Sequence, residues 1–147
     1  MGENKKLTTL LLLAAFLIGL SLLLYPTVAD CWNSIHQSQA VAAYADELAS
    51  LEKEDYSRLW EEARAYNAEL LKRVNCYNLT EALAVKYPNL LKVGDSGVMG
   101  YVEIPTINVV LPIYHGMDDY ILQTAAGHLD WTSLPVGGKS THAVISG

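Results

Sequence analysis

The sequence predicts an N-terminal transmembrane helix, then a helical region, then the first strands of a mainly-β domain that stays incomplete. Three observations carry this. Leu7 to Leu24 form an apolar run without a charge. Helical periodicity fills most of the stretch behind it. From Gly94 onward glycine, proline and two-residue alternation take over.

The run reads LTTLLLLAAFLIGLSLLL, and its only polar residues are Thr8, Thr9 and Ser21. A helix needs about 20 apolar residues to cross the hydrocarbon core, with a range of roughly 17–25. Tyr25 extends the run to an interfacial aromatic, and Lys5 and Lys6 precede it. The positive-inside bias keeps those lysines in the cytoplasm and sends the rest of the chain outside. The expected division is therefore a cytoplasmic N-terminus at 1–6, a membrane helix at 7–25, an extracytoplasmic helical region at 26–92 and a β region at 93–147. A cleaved signal peptide is the competing reading, with Thr27-Val28-Ala29 as a weak cleavage site. Its apolar core is usually about 7–15 residues, shorter than this run.

About 120 residues follow the anchor, close to one domain. The net charge of −6 argues against nucleic acid as a partner, because phosphate binding needs a basic patch. Cys31 and Cys76 are too few for a disulfide scaffold. One bridge between them and two unpaired thiols are both compatible with the sequence. No Cys-x-x-Cys or Cys/His metal spacing occurs, so no metal or cofactor is expected.

Asn33 to about Leu51 lacks glycine and proline and is rich in Ala, Gln, Glu and Leu, which favours helix. Glu52-Lys53-Glu54-Asp55 reads as a polar break. Ser57 to Val74 reads as a second helix, since Leu59, Trp60, Ala63, Tyr66, Asn67, Leu70, Leu71 and Val74 recur at three- and four-residue steps. A short third helix opens with Asn78 as cap and Glu81 as its capping-box partner, and it ends at Tyr87-Pro88. The cap also accounts for the formal glycosylation sequon Asn78-Leu79-Thr80.

Gly94, Gly97 and Gly100 mark a loop. Val98 to Ile104 and Ile107 to Ile113 then read as strands, divided by Pro105. Pro112 places the second strand at an edge or a bulge. Asp118 to Thr124 suits one or two helical turns, Val136-Gly137-Gly138 a turn, and His142 to Ser146 a further strand. So few strands leave open edges and little core.

The ordered motifs in this region match a known pattern. Met99-Gly100-Tyr101-Val102-Glu103-Ile104-Pro105, Ile107-Asn108 and Leu111-Pro112-Ile113-Tyr114-His115-Gly116 begin the series. Gly127-His128-Leu129, Thr132 to Gly138 and Ser140 to Gly147 continue it. Upstream, Tyr25-Pro26, Trp32-Asn33-Ser34, Asp55-Tyr56, Trp60 and Tyr66-Asn67 also fit. Together they resemble the N-terminal part of the class C, pilin-polymerising sortases. The resemblance implies a cysteine transpeptidase on a sortase-type β-barrel outside the cell. It would cleave a Leu-Pro-x-Thr-Gly-like sorting signal and join pilin subunits through a lysine amine. Pilin subunits and the cell membrane are the implied partners.

The same resemblance implies that the catalytic His directly follows the Ser-Gly matched by Ser146-Gly147, with the catalytic Cys and Arg on later strands. No catalytic residue is therefore assigned within this chain, and as a fragment it is expected to be inactive. His36 is read as solvated or packed, and His115, His128 and His142 as structural. The resemblance further implies a lid, usually carrying an Asp-Pro-aromatic motif, between the N-terminal helices and the first strand. The matching place reads Asn75-Cys76-Tyr77, which lacks the Asp-Pro pair. Tyr77 is the candidate lid plug, with a plain connecting loop as the alternative. The rival reading of the whole is a non-enzymatic, membrane-tethered module, either a degenerate sortase or a surface interaction domain.

Overall fold

The computed structural model describes residues 2–73, 75 and 77–147 of the chain. The first helix, α1, spans Gly2–Ala49. The chain divides into two units, residues 1–35 and 36–147. The first unit is all α1. It holds a helix long and apolar enough to cross a membrane, and its apolar stretch is not buried against the rest of the protein. Ser21 donates its hydroxyl to the Leu17 carbonyl, 2.8 Å away. The polar group is thereby satisfied within its own helix.

Pro26 lies inside α1. The sequence suggested a membrane helix ending near Tyr25 and a separate helix from Asn33, but the helix runs through both. Proline removes one backbone hydrogen bond and crowds the preceding turn. Here the strong helix formers on either side outweigh that local cost.

In the second unit, α2 spans Lys53–Leu70, with Glu52 as its N-cap residue. The polar segment expected to break the chain is the first turn of the helix instead. Glu54 and Asp55 lie in that turn, where carboxylates interact favourably with the positive end of the helix dipole. The helix also stops sooner than its periodicity suggests. α3 spans Glu81–Lys86 and is capped by Thr80 rather than Asn78, without a side-chain capping bond. It passes into a 3-10 turn at Tyr87–Asn89, where Pro88 fits the opening positions.

Four strands form one mixed sheet in the order β1-β2-β3-β4. β1 is Val98–Ile104 and β2 is Val109–His115. β3 is Ala126–His128 and β4 is Ile145–Ser146. β1 and β2 are antiparallel, β2 and β3 parallel, and β3 and β4 antiparallel. The sheet order is linear, so these strands do not themselves close a barrel. The helical connection required between parallel strands is α4, Asp119–Thr124.

The second strand begins two residues later than expected. Pro105–Ile107 form a 3-10 turn, and Asn108 takes a left-handed conformation at φ 52°. Asparagine tolerates that region better than most residues. Pro112 lies in a strand flanked by two others, yet β3 first joins β2 at Ile113. The outer side of β2 is therefore open at the proline. The bulge falls in β1, where Val98 pairs with Tyr114 and Gly100 with Ile113, leaving Met99 as the extra residue. β3 was not expected at all, because three residues are too short for a periodic signal. The last strand shrinks from the expected 142–146 to Ile145–Ser146.

One face of the sheet is covered by helices. Ala63, Tyr66 and Leu70 of α2 pack with Leu83, Tyr87 and Leu90, and with Met99, Ile113, Ala126 and Leu134. A smaller cluster joins Tyr44 of α1 to Val93 and Val98. The Tyr44 hydroxyl donates to the Met99 carbonyl at 3.3 Å, and the Gln37 amide donates to the Thr124 carbonyl at 2.8 Å.

Candidate functional site

Two neighbouring features carry the polar chemistry of the second unit: the loop after α2, and a buried histidine cluster at the ends of β2 and β3. The loop holds the candidate plug. Tyr77 is 72% exposed and meets the Trp131 ring edge-on, with centroids 5.5 Å apart. Its backbone N–H donates to the Asn75 carboxamide oxygen at 3.0 Å, an Asx turn that suits Asn75. Val74 and Cys76 fall outside the described residues, and so does the bridge considered between Cys76 and Cys31. Cys31 is exposed on α1.

Arg73 fastens this loop. Its Nε donates to the Leu70 carbonyl at 3.1 Å, its Nη1 to Asn78 at 2.9 Å and its Nη2 to Trp131 at 2.8 Å. One guanidinium thus closes the C-terminus of α2, spans the loop and ties it to the segment after β3. A planar group with five donors is suited to three carbonyls at once. Asn78, expected as a helix cap, serves here through its carbonyl.

At the end of β3 lies His128, which is fully buried. Its Nε2 is 2.9 Å from the Ser133 carbonyl, and its Nδ1 is 2.9 Å from the Tyr87 hydroxyl. A carbonyl only accepts, so Nε2 carries the ring proton. Nδ1 of the neutral ring is then an acceptor, and the single Tyr87 hydroxyl proton is shared between it and the His128 carbonyl, 3.0 Å away. The Gly116 N–H donates in turn to the Tyr87 oxygen at 3.2 Å. His115 lies edge-on to the Tyr87 ring at 5.0 Å and donates from Nε2 to the Leu90 carbonyl at 2.7 Å. Burial pushes both histidines below the ordinary value of 6.5, partly offset by these carbonyls. Burial also pushes the Tyr87 hydroxyl well above its ordinary range. The three groups form a neutral hydrogen-bonding cluster.

The cluster borders the chain that leads into β4. Thr132 donates its hydroxyl to the Leu129 carbonyl at 2.7 Å and accepts from the Val144 N–H at 3.2 Å. The Ser133 N–H donates to the His142 carbonyl at 2.9 Å, and the Leu129 N–H to the Val144 carbonyl at 3.0 Å. His142 itself is exposed. No group of three or more His, Cys, Asp or Glu residues able to hold a metal occurs among the described residues.

A scan against protein-family models gives no match, and a search of curated proteins gives none. Solved structures do match. Sortase C1 from Streptococcus agalactiae is 37% identical, with a TM-score of 0.70, over 74% of this chain and 56% of that one. Sortase C-1 from Streptococcus pneumoniae is 40% identical, with a TM-score of 0.59, over 73% of this chain and 56% of that one. Sortase C from Clostridium perfringens is 34% identical, with a TM-score of 0.57, over 73% and 56%. These neighbours are class C sortases, and the chain resembles them over about three quarters of its length. It spans about half the length of the solved sortases that it matches.

The sequence singled out His115 and His128 as structural, and the geometry gives them a shared partner. That partner, Tyr87, was read only as a helix end. Arg73 and Trp131 were not singled out. Tyr87 and His128 are 41 residues apart, so no local spacing could have joined them. A signal did exist at Arg73: a cation just past a helix C-terminus is well placed to bond the last carbonyls.

Proposed function

We propose that the chain forms the anchor, lid and first strands of a membrane-tethered class C sortase that links pilin subunits covalently. The observation that supports this most is the match of about three quarters of the chain to solved sortases C at 34–40% identity. A sortase C of Streptococcus pneumoniae is described for catalysis and pilin substrate specificity. On this reading the protein cuts a Leu-Pro-x-Thr-Gly-like signal between Thr and Gly. A cysteine thiolate attacks the Thr carbonyl, and the amine leaves with a proton from the catalytic His. A lysine amine of a second pilin then releases the acyl group. These steps require an activated thiolate, a proton-handling base and a charged oxyanion partner. Neither Cys31 nor Cys76 matches the family nucleophile. The catalytic His would follow Ser146-Gly147, and the Cys and Arg would come from later strands.

α1 would retain the protein in the membrane, with residues 1–6 in the cytoplasm and the β domain outside. The loop bearing Tyr77 would act as the lid, gating access as mobile loops commonly do. The test is a reading frame continuing past Gly147, expressed with a sorting-signal peptide and a lysine-bearing acceptor. Cleavage between Thr and Gly, a thioacyl adduct and transfer to the acceptor are expected. Intact peptide with a well-folded protein would overturn the enzymatic reading in favour of a non-enzymatic surface module.

A further inference from the structure

Tyr87, His128 and Thr132 lie in one continuous series of polar contacts that ends on the β4 segment. The Gly116 N–H donates to Tyr87, and the Tyr87 hydroxyl donates to His128, its one proton shared between Nδ1 at 2.9 Å and the backbone carbonyl at 3.0 Å. Nε2–H of His128 donates to the Ser133 carbonyl at 2.9 Å and comes within 3.4 Å of the Thr132 hydroxyl oxygen. That oxygen receives the Val144 N–H, while the Ser133 N–H binds the His142 carbonyl. β4 itself pairs over only two residues, Gly127 with Ser146 and His128 with Ile145. A two-residue ladder fixes register weakly on its own, and shifting it by one residue would turn every side chain to the other face.

Thr132 is 8% exposed, and its single oxygen both donates and accepts. No apolar residue of similar shape reproduces that. The direction of each bond is set by the neutral ring, in which Nε2 must donate and Nδ1 must accept. The charged and titratable neighbours are His115 against Tyr87, with Asp130 and Tyr66 acting at longer range.

We propose that Tyr87, His128 and Thr132 are positioning residues that hold residues 142–147 in register through the neutral ring of His128. The inference rests on the sortase reading for its consequence, because the segment so held would lead directly into the catalytic His. Its structural content stands apart from that reading, and the two separate in the test.

The test compares full-length protein carrying Thr132→Val, Thr132→Ser or Tyr87→Phe with the unsubstituted chain. Hydrogen exchange is followed over residues 129–147 and, as an internal reference, over α2. Thr132→Val and Tyr87→Phe are expected to speed exchange in 129–147 by roughly tenfold, with α2 unchanged. Thr132→Ser keeps the hydroxyl and is expected to restore protection. Ring-nitrogen resonances of His128 should report protonated Nε2 and unprotonated Nδ1. If turnover is present, kcat should fall with KM nearly unchanged. Unchanged exchange in 129–147 would overturn the proposal, as would equal effects of Val and Ser at Thr132 or a uniform rise that includes α2. Selective exchange in a protein without any turnover would leave the positioning intact and remove the sortase reading.

Discussion

The Asn67 carboxamide clasps the backbone of Leu134 on both sides. Its Nδ2 donates to the Leu134 carbonyl at 3.1 Å, and its Oδ1 accepts the Leu134 N–H at 2.8 Å. Asn67 and Leu134 are 97% and fully buried, so the side chain stands in for a neighbouring strand. The pair joins α2 to the loop after β3. Substituting Asn67→Ala would leave the buried Leu134 N–H unpaired and the Leu134 carbonyl with only the Val136 N–H, 2.8 Å away. One unpaired buried donor costs about 1–3 kcal/mol, and a loss of about 2 kcal/mol is expected. Asn67→Asp should be at least as harmful, because it keeps one acceptor, loses the donor and buries a charge. Urea unfolding followed by tryptophan fluorescence measures both. A loss below about 1 kcal/mol for Asn67→Ala would show that water or another group replaces the clasp.

Acid should weaken the fold through His115 and His128. Both are held below their ordinary value of 6.5, chiefly by burial. Above that value the folded and unfolded chains are alike in leaving them neutral. As pH falls through 6.5, the unfolded chain takes up protons that the folded chain resists, so stability declines. The decline continues until the folded-state rings themselves protonate. His128→Gln removes one of these groups and should reduce the slope of stability against pH below 6.5. Denaturant midpoints measured from pH 7.5 downward check this. An unchanged slope would mean that His128 is solvated enough in the native state to titrate normally.

The helices and the first two strands were legible because their signals are local. α2 shows its apolar stripe, and β1 was placed at Val98–Ile104 from its composition. The start of α2 was misplaced because Glu54 and Asp55 read equally as a break or as a charged first turn. The choice depends on Leu59 and Ala63 having something to pack against. β3 was invisible for a related reason. Its three residues gain their conformation from β2, through the pairing of Ile113, Tyr114 and His115 with Ala126, Gly127 and His128. The site shows the same division. His128 stood out as a residue type, whereas its tautomer depends on Tyr87 and Ser133, which only the fold brings to it.

Gly127 is required by close packing rather than by backbone freedom. A Cβ there would strike the Gly116 carbonyl oxygen and press on Met117 and Ile121. The carbonyl is backbone and cannot swing aside. Gly127→Ala is therefore expected to cost about 2 kcal/mol, in the range of overpacked cores. Gly100 offers the contrast, since a Cβ at that position meets nothing within 4 Å. Gly100→Ala should stay within about 0.5 kcal/mol of the parent. Thermal unfolding of the two variants side by side tests the contrast, and equal effects would contradict it.

Arg73 should control the loop that carries Tyr77 more than it controls global stability. Its three acceptors, the carbonyls of Leu70, Asn78 and Trp131, belong to the end of α2, the loop and the segment after β3. Arg73 is only half-buried and Asn78 is exposed, so water can replace part of what the guanidinium supplies. The global loss for Arg73→Ala is thus expected to be about 1–2 kcal/mol. Locally the change is larger, because the loop is left with the Tyr77–Trp131 contact and the Asx turn at Asn75. Exchange of the Tyr77 amide should rise by roughly tenfold or more, while amides of β1 and β2 hold their rates. Arg73→Lys should not rescue it, since one ammonium cannot reproduce the fork across three carbonyls. If the loop acts as the proposed lid, Arg73→Ala in an active frame should raise the rate of sorting-peptide cleavage. A freer loop with unchanged or slower cleavage would assign Arg73 to the architecture of the α2 terminus and remove the gating role from Tyr77.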